Sequence, residues 1–312
     1  TPRRAPRPPQ TVESLLEEVS RAAALRRERE HRETAKKKEA TVGARVDKVR
    51  PKMEKAITGI FKKQEAHLLA NAGQLGINEL GKVDELLLSL RAGSVETVRE
   101  ALKEVIAVFG RQAIGDLDVG DLAFSAVSER VLRYAANTAA HKVAIIDHST
   151  GKAVKEGIRK ALLEAQIAGE NITDTATRIM EAGIKAGMEI RRERAVSIAQ
   201  TETTGAYNFS DMEGWRQSGV VEKKRWNAHS DTKTRETHAE ADGQEVDLND
   251  PFQVGDSQMD HPGDPTAAAE EVVECRCFMT PVLSRAFRAQ RLKAQMQASP
   301  SPGASLNGKG MH

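Results

Sequence analysis

From residue 41 to about 190 the apolar side chains recur with the 3.6-residue period of amphipathic helices, in segments punctuated by glycine. Leu86, Leu87 and Leu90, then Val98, Leu102, Val105 and Phe109, mark two such faces, with Ser94 placed to cap the second. Phe124, Val127, Val131 and Tyr134 make another stripe. Val154, Ile158, Leu162 and Leu163 make one more, which Gly169 is suited to stop. Thr173 or Asp174 opens a short helix to about Ala182, and a longer one follows from about Met188 to Gly214. A chain patterned in this way buries helix against helix, so these stripes are core. Upstream, Val12, Leu15, Leu16, Val19 and Ala23 carry the same period over residues 11–40. From Arg26, "RREREHRETAKKKEA" has no apolar face and reads as a solvated helix or a charged linker.

The pattern changes near residue 200. Seven of the eleven aromatics lie beyond it, together with both cysteines and four of the eight histidines. "VVEKKRW", "QEVDL" and "EVVECRCF" are strand-like, and the turn signals "DG", "NDP" and "HPGDP" separate them. The predicted fold class is therefore α+β: a mainly helical N-terminal region followed by a small mixed α/β C-terminal module. The expected organisation is a basic Pro/Arg-rich arm and charged helix over 1–40, a helical domain over 41–189, the mixed module over 190–283, and a basic helix with a flexible tail over 284–312.

Both cysteines sit in "ECRCF" at i and i+2. On a strand, Cys275 and Cys277 would share a face and Glu274 and Arg276 would take the other. Three readings compete: a metal site, a redox pair, or two small hydrophobes in a core. Zn²⁺ is the ion two cytoplasmic thiolates would favour, and it needs further ligands. The best source is "SDTKTRETHAEADGQ". A helix capped by Asp231 and ended by Gly243 would place Asp231, Arg235 and His238 at i, i+4 and i+7 on one face. His238 is the candidate third ligand, and Asp231, His229 or His261 could complete the set. The bland alternative is a surface Asp231–Arg235 pair worth a few tenths of a kcal/mol.

Composition bounds the partners. Charged residues make up 29% and aromatics 4%, while the net charge is only +2, so global charge selects nothing. Its distribution says more. Arg3, Arg4 and Arg7 stand in an acid-free, proline-rich arm, and no acid follows Glu274. Arg285, Arg288 and Arg291 form a basic stripe on the last helix. These two ends are the candidate DNA-binding elements, through phosphates and without sequence preference. The alternative is that they keep the ends soluble. No apolar run approaches the roughly 18 residues of a membrane span, and no signal peptide is visible. The expectation is folding in a cytoplasm, where thiols stay reduced.

The order "RAVSIAQTETTGAYN", "KKRWNAHSDTKTRETHAEADGQEV", "DPF", "HPGDP", "ECRCFMTPV" resembles the phage Mu F-like domain of minor capsid and head morphogenesis proteins of tailed phages. The likeness covers about residues 190–283, and the helices before it resemble the same proteins. The matching positions are Trp226, Asp231, Arg235, His238, Gly243, Cys275 and Cys277. Two positions depart from the family: Gln200 where an Arg is usual, and Glu274 where an Asn is usual. The resemblance implies a structural role rather than an enzyme. Such a protein is portal-associated, works with portal and capsid or scaffold proteins in head assembly, and serves DNA packaging or delivery. It resides in the virion head or procapsid, and in the host cytoplasm during assembly. The alternative is a small zinc-dependent or nucleotide-modifying enzyme drawing acid/base groups from His229, Asp231, Arg235, His238 and Glu202. "AIIDHSTGKAV" lacks the full phosphate-loop spacing.

Overall fold

A computed structural model describes residues 12–75 and 79–298, in two units that divide at Arg45 and Val46. The basic arm with Arg3, Arg4 and Arg7 lies outside the described residues. In the first unit, residues 12–45 are helical, and the charged stretch 26–40 belongs to α1, Val12–Ala70. In the second unit α1 turns apolar: Met53, Ile57, Ile60, Phe61 and Leu68 are all buried. A single 3-10 turn, Ala72–Gln74, follows.

Helices α2 (Lys82–Leu117), α3 (Glu129–Ile167), α4 (Ile172–Glu193) and α5 (Ala195–Ser218) follow. Three details differ from the sequence expectation, the first being that α4 runs past Ala182 to Glu193, so that α5 starts at Ala195 rather than near Met188. Ser94 is no cap but a buried residue inside a continuous α2. Helix α3 starts at Glu129 behind Ser128, whose Oγ accepts from Val131 N, so the 124–134 stripe is not one helix. Phe124 instead packs against Gly110, and Val127 is exposed. Where α3 meets α4 the backbones nearly touch: a Cβ on Gly157 would come within 2.3 Å of the Gly183 carbonyl. Only glycine allows that approach.

Helix α5 is buried along almost its whole length from Thr201 to Trp215, although its sequence is rich in hydroxyls. Those hydroxyls bond back onto their own helix: Thr203 Oγ1 donates to Ala199 O at 2.7 Å and Ser210 Oγ to Ala206 O at 2.5 Å. A side chain satisfied in that way can be buried without an outside partner. Helix α2 packs on α5, and so do strands of the C-terminal sheet.

That sheet has the order β2–β1–β5, all antiparallel: β1 is Val221–Asn227, β2 Glu245–Asp247 and β5 Phe278–Leu283. A separate hairpin pairs β3, Phe252–Val254, with β4, Ser257–Met259. Short helices α6, Glu236–Glu240, and α7, Ala269–Val272, link these pieces, and α8, Arg285–Ala298, follows the sheet. The class is α+β, helices first and a small sheet module last.

Candidate metal centre

The sheet module begins with Trp226, which is fully buried on β1, where it lies opposite Met279 of β5. Its ring meets Phe252 edge-on at 5.3 Å and His238 at 5.5 Å, and so forms one wall of the site. After β1 the chain makes a tight turn rather than a long helix. Asp231 Oδ1 accepts from Lys233 N at 2.9 Å, and α6 starts only after Arg235. Helix α6 carries His238 inward, 1% exposed. Gly243, at φ +81°, closes the return by donating from N to Trp226 O at 3.0 Å.

The cysteines are brought in by a second device. The segment "EVVECRCF" is not a strand. Helix α7 ends at Val272, Glu274 takes a left-handed φ of 56°, and β5 starts only at Phe278. Cys275 and Cys277 are both 2% exposed and both free thiols. Glu274 is not on an opposite strand face but at the crest of the turn. Its N donates to Thr201 Oγ1 at 3.0 Å and its Oε1 accepts from Ser197 Oγ at 2.8 Å. Asn208 Nδ2 reaches Cys277 O at 3.0 Å from the same helix, α5. A left-handed non-glycine residue is costly, and Asn bears it better than Glu.

The result is a buried cluster of His238, Cys275 and Cys277, with ligand atoms within 4.8 Å of one another. His238 Nδ1 lies 3.3 Å from Cys277 Sγ and 3.7 Å from Cys275 Sγ. Bond lengths of about 2.1 Å (Zn–N) and 2.3 Å (Zn–S) at a tetrahedral angle put N and S about 3.6 Å apart. The donor set therefore fits Zn²⁺ in both chemistry and spacing. The other ring nitrogen, Nε2, lies 2.9 Å from Glu271 Oε2, close but not aligned as a hydrogen bond. Thr237 Oγ1 donates to the same oxygen at 2.9 Å. A carboxylate behind a ligating imidazole is the usual support of a zinc-bound histidine. The hydrogen bond from Cys277 is the largest influence lowering the Cys275 pKa, and the same contact, with burial, pushes Cys277 well up.

Asp231 is not part of the cluster. Arg276 holds both its oxygens, at 2.5 and 2.8 Å, and this contact keeps its carboxyl well below the usual carboxylate range. The turn that replaced the expected helix is the reason: Asp231 points at its Arg276 partner and His238 points inward. His229 lies 3.6 Å from Asp231, and His261 lines a separate cavity, so neither joins the cluster. Arg235 Nη2 bonds Val273 O at 2.5 Å, pinning the start of the cysteine turn. Glu202 pairs with Lys142 at 2.7 Å, and Gln200 Oε1 accepts from Arg50 Nη1 of α1 at 2.7 Å. A guanidinium thus does reach this position, from another helix. Arg285, Arg288 and Arg291 all lie on α8, with Arg291 3.9 Å from Asp118. Sequence reading missed Glu271; its one signal was an acid four residues before Cys275.

The family described as Phage Mu protein F like protein matches residues 156–280, from the middle of α3 to β5. An uncharacterized protein, YqbB, of Bacillus subtilis (strain 168) is 26% identical over 204 residues, covering 64% of this chain and 61% of that protein. The NAD(+)--arginine ADP-ribosyltransferase EFV of Enterococcus faecalis is 34% identical over 92 residues, 28% of this chain and 19% of that protein. An uncharacterized protein of Haemophilus influenzae is 28% identical over 126 residues, 40% of this chain and 24% of its own length. The chain thus spans less than two thirds of each of these relatives. No solved structure matches.

Proposed function

We propose, from a chain whose residues 156–280 are a phage Mu F-like domain, that this protein is a minor head component of a tailed phage or prophage. Its role is head morphogenesis beside portal and capsid or scaffold proteins, with a part in DNA packaging or delivery. Its place is the virion head or procapsid, after assembly in the host cytoplasm. The family match carries this reading. No described helix is long and apolar enough to cross a membrane. The role is structural rather than enzymatic: Asp231, Arg235 and Glu202, which would have served an acid/base mechanism, are each engaged by a partner. The test is deletion of the gene with mass spectrometry of purified particles. The expected result is few or defective heads, and the protein present in wild-type particles. Normal infectious yield, with the protein absent from particles, overturns the reading.

Within this role the His238–Cys275–Cys277 cluster is a zinc clasp that ties α6 and the cysteine turn to the end of the sheet. The N–S distances support it. Metal analysis of gently purified protein should give one zinc per chain, and none would remove the ion while leaving the head assignment untouched. The arginines of α8 and of the N-terminal arm are proposed to touch DNA through phosphates alone. A salt titration of DNA binding should then lose slope when residues 284–312 are removed. Equal binding with and without them rejects that role.

A further inference from the structure

Away from the cysteines, a cavity of about 680 Å³ opens between the first turns of α3, the second half of α5 and the loop 258–267. Its wall is aromatic. The Tyr134 and Phe209 rings stack with centroids 3.7 Å apart and planes 9° apart, and the His261 ring lies about 6 Å from both. Arg130, Arg133 and Arg216 line the same space.

The charges there are unevenly matched. Arg133 pairs with Glu129. Arg216 bonds Asn249 Oδ1 at 2.8 Å and has Glu213 at 3.9 Å. Arg130 makes no ion pair among the described residues, and its charge sits close enough to add to burial in lowering the Arg216 pKa. Asp260, like Glu213, offsets part of that repulsion, and an anion in the cavity that meets both guanidiniums would offset more. Two acids also line the cavity. Asp264 is consumed by its own loop, accepting from Thr266 N and Oγ1 and from Asp260 N, and Asp260 is the other.

Deeper in, the cavity meets His261 and Thr138. His261 is 2% exposed, and its Nδ1 lies 3.0 Å from Pro262 O, so Nδ1 carries the proton and Nε2 is a bare acceptor. Nε2 makes no hydrogen bond among the described residues. The Thr138 hydroxyl, 3% exposed and close to Tyr134, has no well-formed hydrogen bond. A buried polar group without a partner points to a ligand or a water.

We propose that this cavity binds a nucleoside phosphate. The phosphate lies at Arg130 and Arg216, the base lies along the Tyr134–Phe209 wall, and an N–H of the base faces His261 Nε2. An anion alone would use the arginines but leave the aromatic wall and the bare imidazole idle. An acidic peptide would do the same. A nucleotide uses all three, since stacking on aromatic rings and phosphate–arginine contacts are its ordinary modes of recognition. The proposal involves no bond-making step, and it depends neither on the head assignment nor on the metal.

The test is calorimetric titration of the full chain with the four ribonucleoside and four deoxyribonucleoside monophosphates, the matching nucleosides, inorganic phosphate and an oligo-glutamate. At least one nucleotide should saturate, with its nucleoside and inorganic phosphate each about tenfold weaker or more. Arg130→Ala, an exposed change that leaves the fold intact, should weaken that nucleotide by about tenfold or more. A 5′-phosphorylated trinucleotide then separates a free nucleotide from a strand end: whichever binds more tightly is the source. The proposal is overturned if no nucleotide saturates, if phosphate alone or oligo-glutamate binds as tightly, or if Arg130→Ala binds like the parent.

Discussion

The cysteine cluster and the Tyr134 cavity both lie against α5, and they are built on opposite principles. The cluster is closed. Its three side chains come from α6 and one turn, each is at most 2% exposed, and Trp226, Glu271 and Asn208 hold the surroundings. The cavity is open, and the Thr138 hydroxyl in its lining has no well-formed hydrogen bond. Side chains packed out of solvent carry stability, whereas side chains that line an open cavity are free to meet a ligand. Changes at the cluster should therefore be felt in folding, and changes at the cavity mouth in binding.

The largest effect is expected for Cys277→Ser. It removes a buried thiol of the proposed zinc clasp and should lower unfolding free energy by about 3 kcal/mol or more, because an ion bound there would contribute folding energy. A chelator should bring the parent protein down to the variant and leave the variant unchanged in thermal melts. If the parent melts at the same temperature with and without chelator, the closed site holds no stabilising ion.

Next comes Lys224, which sits fully buried beneath the cavity and donates from Nζ to Asp260 O at 2.6 Å. Burial lowers its pKa from the ordinary 10.5 to about 8. The unfolded chain then holds a proton that the folded chain has lost between pH 8 and 10.5, so this residue's contribution to stability rises with pH across that window. Below pH 8 the charged amine weighs against folding in full. Denaturant melts should show the parent gaining up to about 3 kcal/mol relative to Lys224→Met between pH 8 and 10.5. Parallel pH curves for the two proteins would mean that Lys224 is not desolvated.

A smaller effect returns to the closed side. Glu274→Asn should stabilise by about 1 kcal/mol through relief at φ 56°, less what the lost Ser197 bond supplies. A clear destabilisation in denaturant melts would show that the α5 hydroxyls outweigh the backbone cost. The smallest is Arg130→Ala, which should move stability by no more than about 0.5 kcal/mol while affecting the cavity's binding. A loss of several kcal/mol would make Arg130 part of the framework and erase the contrast between the two sites.

Much of this was readable in the chain. The 3.6-residue stripes located α2 and α3 in outline, because a helix that buries one face must repeat it. Gly169 stopped its helix as expected, at φ +71°, because only glycine takes that conformation cheaply. The pairing of His238 with Cys275 and Cys277 was legible as chemistry, since few other residue types bind soft cations. The stated route to it was not. The i, i+4, i+7 helix and the Cys-x-Cys strand are both absent, and a helical turn and a left-handed Glu274 do their work.

By itself, then, the sequence determined the class of the fold, the residues able to ligate an ion, and the family pattern. Local periodicity and side-chain chemistry are properties of short windows. Tertiary structure alone decided that Asp231 goes to Arg276, that Glu271 stands behind His238, and that Arg50 of α1 reaches Gln200. It alone assembled the cavity from α3, α5 and the 258–267 loop. Those pairings join residues up to 150 positions apart, and no local propensity encodes which of many equally suitable partners the packed helices bring within reach.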